Sequence, residues 1–155
     1  MAALSEEMFK KVLPLAQEWA EYYQLFIIEH GKKLSPQQES DARLVGVAYP
    51  DKIRLLEVPQ IPRPLEGLLK YVNDLVQLIT PDTTGLTLQY GIFIREDCRG
   101  SRGLLVHEFV HSSQYERLGS IAAFLTQYLF EVNTVGYPQA PMEQEAIRTA
   151  AKFCS

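Results

Sequence analysis

The run Gly103-Leu104-Leu105-Val106-His107-Glu108-Phe109-Val110-His111 holds the residues of this chain best suited to chemistry. Positions four apart on an α-helix lie one above the other on one face, so the imidazoles of His107 and His111 can reach a single metal ion. Glu108 projects beside them, where a carboxylate can accept a proton from water. Zinc, Zn2+, suits two imidazoles and lowers the pKa of its bound water to roughly 7, which would let hydroxide attack a carbonyl with Glu108 as the base. A lone histidine on a helix is more often packed or solvated than ligating. Here the His-Glu-x-x-His pattern stands complete in a chain with only three histidines. Its flanks, Leu104, Leu105, Val106, Phe109 and Val110, have the apolar character that a buried active-site helix needs. The third histidine, His30, falls beside Gly31 at an expected helix end and reads as a C-terminal cap rather than a ligand.

A catalytic zinc site needs a third protein ligand and an open position. The metzincin pattern HExxHxxGxxH would place glycine at 114 and histidine at 117, but Gln114 and Arg117 stand there and exclude it. An acidic residue on a later element is then expected, from among Glu116, Glu131, Glu143 and Glu145. Glu116 is turned away from the histidine face and reads as solvated; Glu131 closes an apolar helix and reads as a surface charge. Glu143 and Glu145 begin the last helix, a separate element able to fold back across the first. Glu143 is favoured because Ala146, one turn along, allows close helix approach, and Glu145 remains the alternative. A donor for a developing oxyanion is sought among Tyr115, Tyr128 and Tyr137, each of which also fits an ordinary core aromatic. Tyr137 is preferred for its place in the turn before the glutamate helix.

These residues must be positioned by surrounding elements. Ser5-Glu6-Glu7 opens a first helix suited to the macrodipole, with apolar positions from Phe9 to Ile27 at helical spacing and Pro14 expected to kink or divide it. Ser35-Pro36-Gln37-Gln38 has the grammar of a second helix start, running to about Tyr49-Pro50. Lys52 to Val58 reads as a short strand, followed by the proline-rich run 59–64 and a helix from about Leu65 to Ile79. Gly85 to Glu96 alternates at Leu86, Leu88, Tyr90, Ile92 and Ile94 and reads as one strand, able to receive an extended peptide if it lies at an edge. Helices then follow from Leu104 to about Leu118, from Ser120 to Phe130 and, after the Gly136-Tyr137-Pro138 turn, from about Pro141 to Phe153.

With 155 residues and 46% hydrophobic content, the chain reads as a single domain over 1–155: a helical half with a short strand (1–80), then the strand and the two site helices (86–153). A net charge of -4, without a basic stripe, argues against a nucleic-acid partner. Cys98 and Cys154 form no CxxC and read as reduced thiols or one optional disulfide. The N-terminus carries charge from Glu6 onward and lacks the pattern of a secretory leader, and no apolar stretch approaches the roughly 20 residues of a membrane span. A soluble, cytoplasmic protein is the expectation. Oligomeric state is not indicated.

The stretch from Leu86 to Lys152 resembles the zincin-like metallopeptidases, above all small bacterial zincin domains with an HELxHxxQY-type helix, matched here by HEFVHSSQY. The resemblance implies an α+β, zincin-like fold, mostly helical with a small β-sheet, in which the active-site helix carries HExxH and the preceding strand borders the cleft. In such domains a Pro-x-Glu-x-Glu-Ala run supplies the glutamate ligand, as in gluzincins. Carried onto Pro141-Met142-Glu143-Gln144-Glu145-Ala146, it makes Glu143 the third zinc ligand beside His107 and His111, with Glu108 as base. The implied function is zinc-dependent hydrolysis of a peptide or protein substrate; the alternative is a catalytically silent, zinc-binding interaction module. One position departs from the pattern: four residues beyond Glu143, where an acid or amide usually steadies a histidine, stands Ile147. The N-terminal half contributes no motif to the resemblance.

Overall fold

The structure, a computed structural model, describes residues 4–153. Four serines cap helices: the hydroxyls of Ser5, Ser35, Ser101 and Ser120 each accept a first-turn N–H, and Ser35 with Gln38 forms a reciprocal capping box. The helices they open are α1 (Glu6–His30), α2 (Pro36–Leu44), α4 (Arg102–Leu118) and α5 (Ile121–Val135). Between and after them lie β1 (Lys32–Lys33), β2 (Arg54–Val58), α3 (Gly67–Val76), β3 (Gly85–Leu88), β4 (Gly91–Arg95) and α6 (Pro141–Phe153). The architecture is mixed α+β, mostly helical with one four-stranded sheet of order β1-β2-β4-β3. β2 and β4 run parallel, and the two outer strands are antiparallel to their neighbours.

Both faces of the sheet are covered. On one, Phe93 and Leu88 pack with Ala20 and Ile27 of α1; on the other, Ile92, Ile94 and Leu55 pack with Leu105 and Phe109 of α4. The α1 layer lies so close that a Cβ on Gly91 would sit 3.0 Å from Ile27 Cβ, a contact only glycine avoids. α4 is thus enclosed by the sheet on one side and by α5 and α6 on others, and nearly every residue from Leu105 to Tyr115 is buried. Asp41 of α2, almost fully buried, takes two hydrogen bonds from the Arg102 guanidinium at 2.8 and 2.9 Å, fixing the start of α4.

Several expectations are corrected. Leu86 to Arg95 is a hairpin rather than one strand: Gln89 takes φ 60° and the chain reverses through Gln89-Tyr90. The two-residue turn pairs Leu86 with Phe93 and Thr87 with Ile92. Leu86 and Leu88 therefore face α1, whereas Ile92 and Ile94 face α4. Because the sheet is apolar on both sides, the alternation runs through the turn without a break. Pro14 neither ends nor divides α1. The carbonyl it leaves without a helical donor belongs to Lys10, an exposed residue. α2 stops at Leu44, ahead of Gly46 at φ 104°, and residues 50–52 form a single 3-10 turn. The two-residue β1 was not anticipated. Cys154 lies outside the described residues, so the optional disulfide is not addressed.

Candidate metal centre

The start of α6, which carries Glu143, is tied to α5. The first N–H groups of a helix lack intrahelical partners; in α6 that of Met142 donates to Glu131 Oε1 at 2.8 Å, across from α5. Glu131 is buried and also accepts from Gln127 at 2.8 Å. It is a cross-helix cap, not the expected surface charge. Ala146, fully buried, lets α6 lie along α4. These two features set Glu143 over the histidine face of α4.

There the Glu143 carboxylate meets both histidines. Its Oε1 lies 2.6 Å from His107 Nε2 and its Oε2 lies 3.2 Å from His111 Nε2. The Tyr128 hydroxyl donates to Oε2 at 2.7 Å. His107, His111 and Glu143 form a group that could hold a metal ion, their ligand atoms all within 4.8 Å of one another. Ligand atoms of tetrahedral zinc stand roughly 3.3 Å apart, given bonds of about 2.0–2.1 Å. Two imidazoles and a carboxylate are a donor set that zinc takes, and here they stand close enough to share one ion. Glu145 is elsewhere, paired with Arg117 at 2.7 Å. Glu116 is not free in solvent: its carboxylate accepts from the N–H groups of Ala48 and Tyr49 and from the Tyr90 hydroxyl, tying the α2–β2 connection to α4.

Gln114 does what Ile147 cannot. Its amide nitrogen donates to the Met142 carbonyl at 2.9 Å and to Glu145 Oε1 at 2.8 Å, which turns its oxygen toward His111 Nδ1, 2.8 Å away. Nδ1 must then carry the proton, and the Nε2 lone pair of the neutral ring points to the shared centre. Burial pulls the His111 pKa down, but the Glu143 carboxylate more than offsets it and the value rises to about 9. Glu143 is likewise opposed by burial, yet His107, His111 and Tyr128 hold its carboxyl well below the usual range.

Glu108 stands apart from these ligands. Its Oε1 accepts from the Thr87 hydroxyl at 2.7 Å, and a Cβ on Gly85 would lie 3.0 Å from Oε2, so β3 seats the carboxylate closely. Tyr137 lies in the turn between α5 and α6, at the rim of the same space. Burial and the Glu143 and Glu108 carboxylates push its pKa up, so the phenol stays a donor. Tyr115 is a core residue: buried, stacked on Phe124 at 3.6 Å, with its hydroxyl donating to the Thr87 carbonyl. His30 ends α1 and stacks on Phe26 at 4.4 Å, away from the centre.

Two spaces meet at the centre. One is an open cleft of about 570 Å³ between the 77–85 segment and α4 and α6; the other is an inner apolar cavity of about 130 Å³ between α1, α3, β3 and α5. His107, Glu108, Gly85 and Tyr137 line both. The sequence suggested Tyr128 only as an oxyanion donor or core aromatic and Glu131 as a surface charge, and gave no role at the centre to Gln114 or Thr87. Gln114 was within reach, since it lies three residues past His111 on the same helical face. Thr87 was not, because its contact depends on where the hairpin crosses α4. Comparison with protein-family models, with curated proteins and with solved structures gives no significant match.

Proposed function

We propose that this protein is a zinc-dependent peptide hydrolase in which His107, His111 and Glu143 hold the ion and Glu108 is the general base. The observation that carries this reading is the separation of roles at one centre. Three side chains converge on a common point, while a fourth, the Glu of the same HExxH run, is kept out of the ligand set and seated at the cleft by Thr87 and Gly85. A purely structural site has no use for a carboxylate held there. Zinc at these ligands would supply Lewis acidity and a more acidic water.

The chain's own residues do the rest. Glu108 takes the proton from the attacking water and returns it to the leaving amine. Tyr137, protonated at the rim, donates to the oxygen that gains charge. β3 is the last strand of the sheet, and among the described residues no strand pairs with its outer edge. An extended peptide added there would run past Glu108. These roles accord with the resemblance of HEFVHSSQY and Pro-Met-Glu-Gln-Glu-Ala to zincin-like domains. Among the described residues no helix is long and apolar enough to cross a membrane.

The test combines metal analysis with peptide cleavage. Near one zinc per chain is expected, lost in His107→Ala, with cleavage of a mixed peptide library abolished in Glu108→Gln while zinc is retained. Zinc binding without cleavage by the wild-type protein would instead favour a zinc-binding interaction module.

A further inference from the structure

The inner cavity draws part of its wall from the half of the chain that carries no motif. Val12, Ala16 and Ala20, one turn apart on α1, turn a row of small side chains toward it, and Trp19 closes one side. Val72 of α3 and Leu125 of α5 form further walls. Of the polar groups that line it, Asn73 is consumed by the backbone N–H and carbonyl of Ile79, both at 2.9 Å, the Thr87 hydroxyl by Glu108, the Tyr115 hydroxyl by the Thr87 carbonyl, the Tyr128 hydroxyl by Glu143, and Thr83 by the Thr80 N–H. No charged residue lines the cavity other than His107, His111, Glu108 and Glu143 at its mouth. Away from those four residues a charged side chain would lose its hydration and meet only apolar walls or polar groups already paired, whereas an apolar one would bury its surface there.

Resting on the hydrolase reading above, we infer that this cavity is the specificity pocket of the site, and that it selects a peptide with a bulky apolar side chain, of leucine or phenylalanine size, next to the cleaved bond. The cavity opens beside Glu108 and His107, and the cleft that shares those residues leads out to solvent. A peptide lying in the cleft would therefore reach the cavity with a side chain close to the centre. Its walls at Val12, Ala16, Trp19, Ala20 and Val72 precede the stretch from Leu86 to Lys152, and those at Leu86, Phe124, Leu125 and Leu129 lie within it, so the pocket is formed jointly by both halves of the chain.

Trp19 is the only tryptophan in the chain and lines the cavity, which gives a readout independent of cleavage. The probes are acetylated Ala-Ala-Xaa-Ala amides with Xaa as Leu, Phe, Ala, Asp or Lys. They are titrated into the zinc-loaded full chain carrying Glu108→Gln, following Trp19 fluorescence. The Leu and Phe peptides are expected to bind at least about tenfold more tightly than the others, since a single methylene in an apolar pocket discriminates by roughly 10- to 200-fold. Ala16→Leu, which fills the cavity, should erase that preference, and Leu125→Ala, which enlarges it, should shift the preference from Leu toward Phe. Equal affinities across the five peptides would overturn the inference, as would a Leu preference that survives in a folded Ala16→Leu protein. Should wild-type protein cleave peptides without regard to Xaa, the pocket fails and the hydrolase reading stands. Should the affinity ladder appear with no cleavage, the pocket stands and the hydrolase reading fails.

Discussion

At the scale of single residues, the centre depends on groups that touch no ion. Gln114 holds the His111 tautomer, so Gln114→Ala should lower zinc affinity by roughly 10- to 100-fold, measured by chelator competition. Thr87→Val removes one hydrogen bond to Glu108, worth about 1 kcal/mol or a factor of roughly five in kcat/KM, and should leave zinc content unchanged. The charges at the centre also give the metal-free protein a definite pH response. His111 has its pKa raised from 6.5 to about 9, so its contribution to stability is complete below pH 6.5 and lost as pH rises through about 9. Glu143 has its pKa lowered from 4.5, so its contribution is complete above pH 4.5 and lost as pH falls through the depressed value. Thermal unfolding in the presence of a chelator should therefore show this contribution at full strength between pH 4.5 and 6.5. Zinc must displace the His111 proton, so its affinity should climb with pH up to about 9. A zinc affinity flat over that range would show that His111 is not protonated in the metal-free state.

At the scale of elements, the position of Glu143 is a property of α6 and of the residue that caps it. Glu131→Ala removes an N-cap acceptor, a loss of about 1 kcal/mol, and should lower both the midpoint of thermal unfolding and zinc affinity; Glu131→Gln should recover most of each. Unchanged zinc affinity in Glu131→Ala would mean that α6 holds its place without the cap. This is also the scale at which reading the sequence works unevenly. Helix starts were visible in Ser5 and Ser35 because a cap acts within three residues of itself. The hairpin was hidden, since its turn, Gln89-Tyr90, contains neither glycine nor asparagine and both sheet faces are apolar. Glu131 was misread because its partner, the Met142 N–H, comes from another helix.

At the scale of the whole molecule, two helical layers on a sheet leave β3 at an edge beside Glu108 and surround an apolar cavity with α1, α3 and α5. The HExxH run was legible because spacing along one helix fixes its geometry, whereas the glutamate was narrowed only to Glu143 or Glu145, since its place depends on how α6 packs on α4. What they open onto was not legible, because the cavity arises only when residues 12–20 and 69–79 fold against β3. The most direct measurement is a crystal structure of the zinc-loaded protein. The account predicts one ion bound by His107 Nε2, His111 Nε2 and the Glu143 carboxylate, with a fourth position open to the cleft and Glu108 beside it but not ligating. An ion held by Glu145 or Glu108, a fourth protein ligand closing the site, or no ion at His107 and His111 would contradict it.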